Sequence, residues 1–199
     1  MKGSVARVWM GGYPDAAGAA GDAIVDKARS GDADAFATLY DVYAPRIYRF
    51  LIVRMREPAD AEDLLQQVFI KTIQALPRYQ SRGLPFAAWL FKIAQNVVVD
   101  FHRTHRETET LDAALRAGSG SDPELKAQLG ADQERVRMAL DRLTAPQREV
   151  LIYRFFAGLD TAEIGHAMGK REGTVRALQF RALESMRTTL GASEGPTAR

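Results

Sequence analysis

The residues with the most specific chemistry lie between Asp160 and Leu190, in the stretch DTAEIGHAMGKREGTVRALQFRALESMRTTL. An arginine fork pairs bidentately with guanine, and Gln, Glu and Thr each recognise particular base edges. Arg171, Glu172, Thr174, Arg176, Gln179 and Arg181 supply those types here, and Arg187 follows further on. Charge alone says little, because Thr144 to Leu190 holds seven Lys/Arg against five Asp/Glu, a net of +2. The chemistry implied is the reading of base edges rather than general attraction to phosphate.

Other chemistries find less support. There is no glycine-rich phosphate loop, no GxSxG elbow and no HExxH pair. His102 and His105 stand at helical spacing, but a metal site needs further ligands, so they are read as surface histidines. Asp60, Glu62 and Asp63 cluster where a helix should begin, and the dipole favours acidic residues there in any case. Cysteine is absent, which excludes disulfides and thiolate metal sites within these residues. The expectation is a protein with no catalytic residues, no metal and no cofactor.

The elements that must position the base-reading residues are helical. Asp160 can cap a short helix, Ile164 and Met168 share one face, and Gly169 stands where a left-handed helix end would want glycine. After Lys170-Arg171 a second apolar stripe runs through Val175, Leu178, Ala182, Met186 and Leu190 in steps of three and four. This is a helix-turn-helix layout, whose second helix enters the major groove. Gly165 lets the two helices cross closely.

Helical periodicity also fills the first half of the 199 residues. It begins near Asp22. Phe36, Leu39, Tyr40 and Tyr43 make a stripe ended by Pro45, and Ile47, Phe50, Leu51 and Met55 make the next, ended near Pro58. Asp60 caps a further helix striped by Leu64, Leu65, Val68, Phe69, Ile73 and Leu76. The loop RYQSRGLP then leads to Phe86, Trp89, Leu90, Ile93, Ala94, Val97 and Val98. No long alternation with period two occurs, so the fold class is all-α. Glu107 to Glu134 differs, with seven acidic residues against two basic ones, a net of −5, around the break GSGSDP. It reads as a flexible acidic linker. The expected organisation is a disordered leader over 1–22, one helical domain over 23–106, the linker over 107–134, a second helical domain over 135–190, and a disordered tail over 191–199. The apolar run after Lys2 and Arg7 is too short for a signal peptide, and nothing approaches the ~20 apolar residues of a membrane span.

The segments GDADAFATLYDVYAPRIYRF, DAEDLLQQVFIKTIQAL and PFAAWLFKIAQNVVVD resemble region 2 of bacterial extracytoplasmic-function sigma factors. The segment LDRLTAPQREVLIYRFFAGLDTAEIGHAMGKREGTVRALQFRAL resembles their region 4. The resemblance implies a cytoplasmic promoter-specificity subunit of RNA polymerase, itself no enzyme, with core polymerase and promoter DNA as partners and an anti-sigma factor as a further one. Region 2 would dock on the clamp helices of the β′ subunit and open the minus-ten element. Region 4 would sit on the β flap and read the minus-thirty-five element, with the linker threading toward the active centre.

Carried onto this chain, the resemblance assigns Asp60, Asp63, Leu64, Gln66, Gln67, Phe69 and Ile70 to polymerase binding. Leu64 and Phe69 together with Ile70 are expected to leave apolar area for the partner. Tyr79, Gln80, Ser81 and Arg82, with Phe86, Trp89 and Asn96 on the following helix, go to the minus-ten strand, where a flipped base would be captured. Arg171, Glu172, Thr174, Arg176, Gln179 and Arg181 go to the minus-thirty-five element. The chain departs from the family pattern at Gln67 in place of Glu, Gly165 in place of Ala, and Ala177-Leu178-Gln179 in place of a Ser-Arg-Leu type run. Two other readings use the same residues: a dimeric helix-turn-helix regulator with a helical sensor domain, and a helical adaptor that binds only proteins.

Overall fold

The computed structural model describes residues 19–55, 57–81, 83–109 and 138–191, and all regular structure in them is helical. Residues 1–18 of the expected leader, 192–199 of the expected tail and most of the linker lie outside the described residues, whereas 19–22 and 191, expected in the disordered leader and tail, belong to helices. Helix α1 covers Ala19–Arg29, α2 Ala33–Ile52, α3 Pro58–Ala75 and α4 Phe86–Glu109. In the second half, residues 138–141 are helical and α5 covers Ala145–Leu151. It runs into a π turn over Ile152–Phe156, followed by α6 (Thr161–Met168) and α7 (Glu172–Gly191).

Two local expectations are corrected. Pro45 does not end a helix; it sits inside α2, which continues to Ile52. Proline removes one intrahelical hydrogen bond, but Pro45 faces solvent while Tyr43, Ala44, Arg46 and Ile47 around it are buried. Tertiary packing on the inner face therefore carries the helix through. Asp60 is not the cap of α3 either. The helix begins at Pro58, a residue suited to a first turn because its missing N–H would be unbonded there, with Glu57 before it and Asp60 one turn in. Asp32 is the residue that caps, its Oδ1 accepting from the Asp34 and Ala35 N–H groups of α2, both at 3.0 Å.

Helices α1 to α4 pack around Ile47, Phe50, Leu51, Leu64, Val68, Leu90, Phe91 and Val97. Helices α5 to α7 pack around Val150, Leu159, Ile164, Val175 and Ala182. The two groups join in one continuous core, where α6 lies on α4 and the π turn lies on α2.

Candidate nucleic-acid and protein interfaces

The helix-turn-helix is set by its ends. Asp160 Oδ1 accepts from the Glu163 N–H at 2.7 Å, while Glu163 Oε2 accepts from the Asp160 N–H at 2.9 Å, a reciprocal cap. At the other end Gly169 is left-handed, with φ +63, and the Lys170 N–H donates to the Gly165 carbonyl at 2.8 Å. A Cβ on Gly165 would lie 2.8 Å from the Lys170 carbonyl oxygen. The close approach at Gly165 is thus to the backbone of the turn.

Helix α7 buries Val175 and Ala182, half-buries Leu178 and Met186, and turns its other side outward. Arg171, Glu172, Thr174, Arg176 and Arg181 are exposed. Arg176 Nη2 bonds Glu172 Oε2 at 2.8 Å, one turn back, an exposed pair that holds the fork at the open end of the helix with little energy. Gln179 departs from expectation. It is half-buried, with Nε2 enclosed and without a hydrogen-bond partner, so it does not share the outward face. Phe180 takes that place at 70% exposure, with Leu183 beyond it. Sequence reasoning missed Phe180 because an aromatic residue next to an apolar stripe is usually counted as core. Its four-residue step from Arg176 was the available signal.

The loop between α3 and α4 is braced from within. Tyr79 is buried, and its hydroxyl donates to the Leu84 carbonyl at 2.8 Å. Its ring packs on Phe86 and Trp89, with centroids 5.6 and 4.8 Å away. Phe86 is buried as well, against Tyr43. Burial pushes the Tyr79 phenol up to about 12, with the Asp22 carboxylate adding to the rise. Tyr79 and Phe86, expected to touch DNA, are therefore internal supports of the loop. Gln80, Ser81 and Asn96 are exposed and Trp89 is half-buried, so these are the groups presented outward. Arg82 lies outside the described residues. On α4, Lys92, Val99 and Arg103 extend the outward stripe of Asn96 at helical spacing.

On α3 the expected division of apolar residues is corrected. Leu64 is 1% and Phe69 5% exposed, both core, and Phe69 is enclosed by Phe36, which packs edge-on against it, and by Tyr40. Ile70 and Ile73 are instead 54% and 53% exposed. With Asp63, Gln66, Gln67 and Gln74 they form one outward stripe at steps of three and four. Asp60 sits half-buried at its head.

Among the described residues no group of His, Cys, Asp or Glu is arranged to hold a metal ion, and no helix is long and apolar enough to cross a membrane.

Two family models match the chain: sigma-70 region 2 over residues 39–108 and sigma-70 region 4 over residues 139–188. Among curated relatives, the extracytoplasmic-function sigma factor SigD of Mycobacterium tuberculosis is 36% identical, with 86% of this chain and 84% of the relative covered. BldN of Streptomyces coelicolor is 35% identical over 82% of this chain, which spans 63% of that relative's length. Among solved structures, CnrH in complex with the cytosolic domain of CnrY superposes with a TM-score of 0.68 at 24% identity, covering 85% of this chain and 96% of that one. RpoE in complex with the anti-sigma factor NepR from Bartonella quintana gives 0.61 at 25% identity, covering 78% of this chain and 96% of that one. The chain belongs to the extracytoplasmic-function sigma factors of RNA polymerase. Sigma factors are promoter-specificity subunits rather than catalysts in their own right.

Proposed function

We propose that this chain joins core RNA polymerase through the outward stripe of α3 and reads promoter DNA at two places. The α3–α4 loop and the outward side of α4 take the minus-ten strand, and the start of α7 takes the minus-thirty-five element. The observation that carries this reading is that a single chain leaves both kinds of surface open. Ile70 and Ile73 stand half-exposed among Asp63, Gln66 and Gln67. A mixed apolar and polar patch of this kind suits a protein partner, since interface cores bury apolar groups and polar neighbours fix register. Arg171, Thr174 and Arg176 stand free of the core at the open end of a helix-turn-helix, where base edges are reached. Phe180 adds an apolar contact of the type that recognises a thymine methyl group.

In the minus-ten part, Gln80 and Ser81 offer polar contacts and Trp89 a stacking face for an extruded base. Tyr79 and Phe86 hold that loop in shape. Polymerase is a cytoplasmic partner, and the chain acts there. CnrH and RpoE were solved with CnrY and NepR, and we extend to this chain the expectation of an anti-sigma partner. The stripe on α3 favours this reading over a free-standing dimeric regulator, which has no need of a separate uncovered face on its amino-terminal helices.

Permanganate probing of promoter thymines tests the proposal. Core enzyme with this chain makes thymines near the start site reactive, and core enzyme alone does not. Lack of reactivity on every promoter selected from the source genome by chain-dependent binding contradicts it.

A further inference from the structure

The exposed arginines at the start of α7 do not have equal surroundings. Arg176 Nη2 donates to Glu172 Oε2 at 2.8 Å, four residues back. Arg181 donates instead through Nε to the Ala177 carbonyl of its own helix at 3.3 Å, a neutral acceptor that leaves its charge intact. Arg171 is exposed and enters no ion pair among the described residues. Of these three cations, only Arg176 is matched by a carboxylate. That carboxylate stands on a fixed platform. Glu172 is the first residue of α7. The Arg171 carbonyl closes the opening turn, accepting from the Thr174 and Val175 N–H groups at 2.9 and 3.1 Å, and Val175 is buried beneath. A glutamate ahead of its cation is also the better order for a pair four residues apart.

We infer that Glu172 is a positioning residue: it sharpens base selectivity through Arg176 and lowers general affinity for DNA. The inference rests on the reading above, in which the start of α7 enters the major groove. An exposed ion pair adds little to folding, so the consequence of this one lies in binding. The single bond to Glu172 leaves four of the five guanidinium N–H groups open, and a guanine edge needs two of them. The fork is thus held before DNA arrives, which reduces the side-chain freedom lost when a directed contact forms. The same carboxylate offsets the arginine charge. A phosphate attracts arginine by charge and carries no sequence information, so it gains less from the neutralised pair. A base edge that requires two aligned donors loses little. Arg171 and Arg181, without a carboxylate among the described residues, keep the charge that phosphates attract. Glu172 therefore suppresses sequence-independent attraction at the side chain that reads a base.

The test uses the full chain reconstituted with core polymerase and labelled promoter duplexes selected by binding. These are competed, at several salt concentrations, against single-base variants at the position where Arg176→Ala relaxes preference. Glu172→Gln keeps the side-chain length and removes the charge. It should bind non-specific duplex more tightly, with a slope of log K against log salt steeper by about 0.9. Discrimination at the Arg176 position should at the same time fall about three- to tenfold. Glu172→Asp keeps both the charge and the four-residue spacing, and should retain the parent's slope and most of its discrimination. In an Arg176→Ala background, Glu172→Gln should leave discrimination at that position unaltered, because the partner is gone. Unchanged discrimination in Glu172→Gln overturns the inference. A change of preference at a different base pair also overturns it, since Glu172 is then a direct base contact. An equal loss on all sequences with an unchanged slope overturns it too, since the pair is then structural. If Arg176→Ala relaxes one position and Glu172→Gln does not, the role of Glu172 fails alone. If Arg176→Ala alters no base preference on any selected promoter, the reading of α7 fails with it.

Discussion

Replacing Ile70 and Ile73 together by alanine separates docking from folding on α3. Each side chain is about half exposed in the free chain, at 54% and 53%. Full burial of such a side chain is worth about 1.5–3 kcal/mol. A partner that covers the exposed half therefore gains about 1 kcal/mol from each, less what the alanine methyl retains. The double variant should lose about 1.5–2 kcal/mol of affinity for core polymerase, or roughly 10- to 30-fold in Kd. Folding should change little, because exposed substitutions away from special features stay within about 0.5 kcal/mol. Leu64→Ala gives the opposite pattern. That residue is buried, and the truncation should cost about 2–5 kcal/mol of stability. The assay is fluorescence anisotropy of labelled chain titrated with core enzyme, beside thermal melts of all three proteins. If the Ile70/Ile73 variant binds within about a factor of two of the parent while melting normally, the outward stripe of α3 is not the docking face.

Three further outcomes follow from the geometry. Arg176→Ala should cost about 1–3 kcal/mol at one promoter position and relax preference there, whereas Arg187→Ala should at most weaken all sequences equally; competition binding against single-base promoter variants distinguishes them. Gly165→Ala forces a methyl to within 2.8 Å of the Lys170 carbonyl, so the turn must shift, and melting should show a loss of about 1–3 kcal/mol. For Tyr79 the sign is set by a folded pKa of about 12, above the ordinary 10.0. The unfolded chain ionises first as pH rises, so stability falls by up to about 1.4 kcal/mol per pH unit between the two values. Tyr79→Phe lacks that loss, and its deficit against the parent in urea melts should shrink from pH 9 to 11. A constant deficit would show that the phenol does not titrate differently in the two states.

Helix type and the order of elements were legible because apolar steps of three and four persist through both halves and glycine stands at the turn that needs it. Gly169 and Asp160 do in the structure what their types suggest. Pro45 misled because local propensity was outweighed by four buried neighbours, Tyr43, Ala44, Arg46 and Ile47, that carry α2 on past it. Leu64 and Phe69 misled for a related reason: an apolar arc wider than one helix usually buries can be covered when a ring such as Tyr40 folds over its edge. Tyr79 and Phe86 have the residue types of a base-stacking site, and only their mutual packing shows that they support the loop from inside. Arg46, whose guanidinium donates to the Ala157 and Gly158 carbonyls, could not have been singled out at all. Its partners lie 111 and 112 residues away, beyond any local pattern.

Run-off transcription with purified core enzyme tests the central claim most directly, using promoters selected by binding to the reconstituted complex. Core enzyme with this chain should give discrete transcripts that core enzyme alone does not, and these should fall with the Ile70/Ile73 alanine variant and with Arg176→Ala. Transcription that is the same with and without the chain, under conditions where the chain still binds those DNA fragments by itself, would contradict the account and leave a free-standing DNA-binding regulator in its place.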